Sequence, residues 1–130
     1  MIERLFMRSQ SLETDIAYLK DMILYLDKAV AVLEKARRYN LPLDDDMVVD
    51  SIAMNLGQVG EQLSLGKLSE EVKQKYSDRI NWIQIKGFRN FIYHNYSNLN
   101  FKIIEGILKE SVPKTKESLY SIIIELEGES

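Results

Sequence analysis

Residues Ile16–Leu33 read IAYLKDMILYLDKAVAVL, with Ile16, Leu19, Ile23, Leu26, Val30 and Leu33 separated by steps of three and four. That spacing follows the 3.6-residue period of an α-helix and collects the apolar side chains on one face, so the segment reads as an amphipathic helix with a buried stripe. Working outward, the helix is expected over Leu12–Tyr39, with Ser11 or Thr14 capping its start. Asn40-Leu41-Pro42 stops it, because proline cannot continue the hydrogen-bond ladder and disfavours helix in the residue before it. Asp44, Asp45 and Asp46 follow, and carboxylates there favour the positive end of a second helix. Its buried face is Val49, Ile52, Leu56, Val59 and Leu63, again in steps of three and four. The two helices are expected to form an antiparallel pair.

Gly66 closes the second helical segment, and Ser69-Glu70-Glu71-Val72 reads as a capped short helix reaching about Tyr76. A third major helix is expected from Asn81 or Trp82, with Ile85, Phe88 and Ile92 turned inward. Ser97-Asn98-Leu99-Asn100 reads as a turn with a cap, and Phe101–Leu126 as a final helical stretch that Pro113 bends or splits. No alternating strand pattern and no internal repeat is present. The expected fold is all-α, a bundle of four to five helices.

The chain has 130 residues, 45% hydrophobic and 28% charged, which is the composition of a single globular domain spanning residues 1–130. No apolar run approaches the roughly 20 residues that a bilayer span needs. The first eight residues, Met1 to Arg8, mix charge into their apolar residues and lack the uninterrupted core of a signal peptide, so a cytoplasmic protein is expected. With no cysteine, the chain has no disulfide framework, thiolate nucleophile or zinc–thiolate site. The net charge is −3, yet residues 73–116 hold nine cations against three carboxylates, and the rest of the chain is correspondingly acidic. This asymmetry is compatible with a basic face for nucleic acid, and equally with an ordinary fluctuation along solvated helices.

The segment Arg89-Asn90-Phe91-Ile92-Tyr93-His94-Asn95-Tyr96 places the single histidine of the chain five residues after an arginine. On a regular helix five residues turn through about 500°, which leaves Arg89 and His94 roughly 140° apart. Asn90 and His94 share a face, as do Arg89 and Tyr93. Convergence on one phosphate therefore requires the helix to end near His94, or a second copy of the motif from a partner chain. Cleaving RNA without a metal requires a base for the 2′-hydroxyl, an acid for the leaving 5′-oxygen and a cation for the charge on phosphorus. Histidine can fill either proton role and arginine can supply the cation, but one histidine leaves the acid–base pair short. A two-fold dimer supplies the second. Taken singly, each of these residues also has a plain reading as a packing or ion-pairing side chain.

Arg-Asn-x-x-x-His-x-Tyr, at Arg89, Asn90, His94 and Tyr96, resembles the signature of the HEPN superfamily, specifically the HepT-like ribonuclease toxins. The segment Ile52–Glu61, IAMNLGQVGE, is similar to that family's second helix, and Asn81-Trp82 precedes the motif as in its members. The resemblance covers roughly Thr14–Leu126 and leaves residues 1–11 as a variable N-terminal extension. It implies a homodimer with a metal-independent, RNA-cleaving cleft at the interface and no cofactor. Arg89 would hold the scissile phosphate, His94 would move protons, and Asn90 would orient His94 or the phosphate. Tyr96 matches the tyrosine to which a minimal nucleotidyltransferase antitoxin adds AMP, which would bring charge and bulk beside Arg89 and His94. The chain departs from the family pattern at Asn95, where many members carry an acidic residue.

Glu61 has two readings, a surface charge or a buried carboxylate that pairs with Arg89 and fixes its fork, with Gly60 marking close helix packing; Tyr93 is the other candidate to support Arg89. The Asp44–Asp46 and Asp50 cluster reads as helix-start carboxylates rather than a divalent cation site, and no metal is expected. The leading functional expectation is the toxin half of a toxin–antitoxin pair. The rivals are a non-catalytic nucleotide- or RNA-binding subunit that partners a nucleotidyltransferase, and a helical scaffold.

Overall fold

The computed structural model describes residues 2–95 and 101–129, the side chains of residues 3–10 and 93–95 excepted. The elements run in the order α1 (Ile2–Arg38), α2 (Asp46–Glu61), α3 (Glu70–Lys75), α4 (Trp82–Asn95), α5 (Phe101–Gly106), a π-helical turn (Ile107–Ser111) and α6 (Val112–Gly128). No strand occurs among the described residues, and the chain is an all-α bundle. Helix α1 packs on α2 and α6, and α2 packs in turn on α4, so α2 separates α1 from the helix that carries the arginine–histidine motif.

Helix α1 is longer than its apolar stripe implies. It begins at Ile2, so Ser11 and Thr14 lie inside it rather than capping it. Residues 2–11 contain neither glycine nor proline to interrupt the helix. The buried stripe is also wider than expected, because α1 is covered from two sides by α2 and α6. Met22, Ala29 and Ala36 are buried beside Leu19, Ile23 and Leu26, whereas Ile16 and Val30 are only partly covered. At its other end Asn40 adopts a left-handed conformation (φ 54°), and the Asn40 and Leu41 amides donate to the carbonyls of Arg37 and Ala36. This arrangement satisfies carbonyls that the helix end would otherwise orphan. Pro42 then prevents continuation.

Helix α2 is capped by the Asp45 carboxylate, which accepts the Met47 amide at 2.9 Å, so part of the aspartate cluster serves a helix start. Its expected face is buried throughout, with Val49, Ile52, Leu56, Val59 and Leu63 all in the core. Ser69 caps α3 through the Val72 amide. The same hydroxyl donates to Asp15 Oδ2 (2.7 Å), and the Ser69 amide donates to Asp15 Oδ1 (2.9 Å). Asp15 on α1 is buried, and these charge-assisted bonds fasten α3 to the bundle. The Trp82 indole donates to the Lys73 carbonyl at 2.9 Å, which fixes the start of α4 against the end of α3.

Pro113 splits the C-terminal stretch as expected. It sits in the first turn of α6, where its missing N–H is an orphan donor in any case. The preceding turn relaxes to π geometry over Ile107–Ser111 while Leu108 within it and Val112 just after it stay buried. The turn expected at residues 97–100 lies outside the described residues. No helix among the described residues is long and apolar enough to cross a membrane.

Candidate nucleic-acid site

Arg89 lies in the middle of α4 and faces α2. Its approach depends on Gly60: a Cβ at position 60 would stand 2.7 Å from the Arg89 Cβ and 3.2 Å from the Ile85 carbonyl oxygen. Any side chain there would force the two helices apart. With glycine in place, Arg89 reaches along α2 to its last residue, and Arg89 Nη2 donates to Glu61 Oε2 at 2.8 Å. Both side chains are about a quarter exposed (28% and 27%), so the pair sits at the rim of the α2–α4 seam rather than in the core. Glu61 is therefore paired with Arg89, as the second reading expected, but as a partly exposed carboxylate at the end of α2 and not as a buried one. Gly60 marks the close packing.

The second Glu61 oxygen faces a residue that the sequence did not single out. Lys67 Nζ stands 3.7 Å from Glu61 Oε1. Gly66, with φ +85°, occupies the third position of a turn in which the Lys67 amide donates to the Ser64 carbonyl (3.0 Å). A positive φ at that position is the type II requirement that glycine meets without strain. The turn returns the chain over Glu61, and Leu63 and Leu68, both buried, anchor it on either side of Lys67. The signal was present as Gly66-Lys67 after a helix that ends in Glu61, but only the folded turn gives it meaning.

Helix α4 is α-helical through Asn95, so position 94 remains on the regular helix. In that register positions 83, 87, 90 and 94 fall in line, and Ile83, Gly87 and Asn90 are exposed. Arg89 belongs to the opposite side, with Ile85 and Ile92 buried next to it. The expected separation of positions 89 and 94 around the helix axis therefore holds along the backbone. The side chains of Tyr93 and His94, and all of Tyr96, lie outside the described residues.

The basic run is largely neutralised in three dimensions. Six of the nine cations between residues 73 and 116 pair with carboxylates, and five of the six take their partner from outside the run. Lys75 pairs with Glu129, Arg79 with Glu125 and Lys116 with Asp27. Each of these three cations is held above its ordinary pKa, first of all by the hydrogen bond to its carboxylate. Lys86, Lys102 and Lys114 are exposed. The surplus of positive charge seen in the sequence is thus spread over several faces; at the rim of the α2–α4 seam Arg89 and Lys67 share one carboxylate, as Arg37 and Lys109 share Glu105 elsewhere, and only the Glu61 cluster includes the arginine of the Arg89–Tyr96 segment.

Comparison with known proteins agrees with this architecture. The profile of the family described as Ribonuclease HepT-like matches residues 22–122, a span that contains Gly60, Glu61, Lys67 and the whole Arg89–Tyr96 segment. The chain is similar to a protein of Methanocaldococcus jannaschii named "Putative RNase MJ1380", with 27% identity over 105 residues that cover 79% of this chain and 91% of that one. No solved structure matches the chain. With an all-helical bundle, the arginine–histidine segment on α4 and most of its length matched by the family profile, the chain belongs to the HepT-like ribonuclease family.

Proposed function

We propose that this protein is a metal-independent endoribonuclease, the toxin of a toxin–antitoxin pair, acting as a homodimer with Arg89 and His94 at its centre. The carrying observation is the position of Arg89, fixed over Gly60 and paired with Glu61, in a chain of a ribonuclease family. Its planar fork matches phosphate oxygens, and a charge held in place before the reaction stabilises the developing charge on phosphorus with little reorganisation. His94 takes the proton of the 2′-hydroxyl; the 2′-oxygen attacks phosphorus, and the 5′-oxygen leaves with a proton from a second acid. Asn90 orients the phosphate or the histidine. Residues 93–96 contribute Tyr93 as support for Arg89 and Tyr96 as the site at which a nucleotidyltransferase antitoxin adds AMP.

The dimer is supported by the helical register. Arg89 is committed to the α2 side of α4, and position 94 is in line with exposed Ile83, Gly87 and Asn90. A Cβ at Gly87 would meet nothing within 4 Å. Glycine inside a helix costs about 1 kcal/mol relative to alanine, and no contact among the described residues offsets it here. Close passage of a second copy's α4 gives the glycine a purpose and brings a second histidine to the cleft.

The test is RNA cleavage in EDTA by unmodified wild type, its mass checked for attached AMP, beside Arg89→Ala and His94→Ala. Cleavage lost in both variants is the expected result. Intact RNA with every substrate tried, together with retained RNA binding, would favour the non-catalytic subunit instead.

A further inference from the structure

We propose that Lys67 is a second phosphate-binding cation of this site, held beside Arg89 by the carboxylate they share, so that the pair contacts neighbouring phosphates of one RNA strand. The inference rests on the ribonuclease reading for its ligand and on separate observations for its geometry. Glu61 holds Arg89 by a hydrogen bond at 2.8 Å through one oxygen and attracts Lys67 at 3.7 Å through the other. The longer contact is Coulombic only. The Lys67 ammonium makes no hydrogen bond among the described residues, so its donors remain for an incoming anion. One carboxylate between two cations leaves the cluster with a positive charge at neutral pH, at a rim open enough for a phosphate to reach both.

Placement of Lys67 is built in rather than incidental. The type II turn closed by Gly66 fixes its backbone, and buried Leu63 and Leu68 fix the turn. The C-terminal end of α2 adds partial negative charge that holds both cations near Glu61. Lys73 shows the contrasting case: it donates to the Leu63 carbonyl at 2.9 Å and to Glu70, so its ammonium is engaged in tying α3 to the end of α2.

The probe is a short single-stranded 2′-O-methyl RNA, which cannot be cleaved because its 2′-oxygens are blocked, so binding is read independently of catalysis. Its affinity is measured against salt concentration for wild type, Lys67→Ala, Lys67→Arg and Lys114→Ala. Loss of one phosphate contact lowers the magnitude of the log K against log salt slope by about 0.7 for a single strand. Lys67→Ala is expected to show that reduction with weaker binding at low salt, while Lys67→Arg and Lys114→Ala keep the wild-type slope. Gly66→Val, which opposes the positive φ, should reproduce the Lys67→Ala slope with the lysine still present. A wild-type slope in Lys67→Ala, an equal reduction in Lys114→Ala, or no binding by wild type would overturn the proposal. Failure of the ribonuclease reading is separately visible as unmodified RNA left intact by protein that still binds the probe with a Lys67-dependent slope.

Discussion

Arg89 and Glu61 meet at 2.8 Å, and the meeting depends on the residue before Glu61 having no side chain. Gly60 lets α4 approach α2 closely enough for the arginine to pass over position 60 and reach the carboxylate at the helix end. The Gly-Glu pair is thus one device: the first residue supplies the approach and the second supplies the partner.

Gly60→Ala should separate its two effects. A methyl group 2.7 Å from the Arg89 Cβ must push α4 outward, an overpacking that costs about 1–3 kcal/mol. Thermal or urea unfolding checks the stability loss. RNA cleavage should fall further than the lost folded fraction accounts for, because the guanidinium is displaced from Glu61.

Glu61→Gln leaves the shape of the seam and removes the charge that aligns the fork. As a partly exposed ion pair it contributes only on the order of 1 kcal/mol or less to folding. The kinetic effect is expected to be larger: kcat falls by about tenfold through misplacement of Arg89. KM for RNA stays level or falls, since a negative charge has left the phosphate site. Steady-state kinetics on a folded variant read this split, and an unchanged kcat would remove Glu61 from the mechanism.

The dimer has its own test on the exposed face of α4. Ile83→Glu and Gly87→Tyr should leave helicity intact, because among the described residues Ile83 is exposed and a Cβ at Gly87 meets nothing within 4 Å. Both should shift the mass measured by light scattering from two chains to one and abolish cleavage. A dimeric, active Gly87→Tyr protein would exclude this face as the interface.

Asp15→Ala should destabilise the bundle by about 2–3 kcal/mol, since it leaves the Ser69 amide and hydroxyl without their charged acceptor. Hydrogen exchange should show α3 losing protection before α1 and α2. Asp15→Asn, which retains one acceptor oxygen, should recover part of the loss.

The Asp27–Lys116 link between α1 and α6 gives a pH dependence of known sign. The Lys116 pKa is raised above its ordinary 10.5 by the hydrogen bond to Asp27, so the folded state holds that proton more tightly than the unfolded chain does. Its contribution is therefore fully present below pH 10.5 and is lost as pH rises through the higher folded value. Lys116→Met should lower stability slightly at neutral pH, and the difference from wild type should narrow under strongly alkaline unfolding conditions.

Much of this protein follows from local pattern. The buried face of α2, the cap at Ser69, the start of α4 at Trp82 and the break at Pro113 are each set by residues within a turn or two of one another, where backbone sterics and helix periodicity act alone. The arginine–histidine segment was legible for the same reason, and so was the roughly 140° that separates its two ends around a regular helix. Only tertiary structure could decide what lies across a gap. The stripe on α1 widened to Met22, Ala29 and Ala36 because two helices cover it, Asp15 became a buried acceptor for a cap 54 residues away, and the basic run was neutralised by carboxylates from distant helices. Most decisively, Glu61 could have been a surface charge until α4 closed over Gly60, and Lys67 had no assigned role until the Gly66 turn returned it to that carboxylate. Helix periodicity reports which way a side chain points; which charge it meets there is settled by how the helices pack.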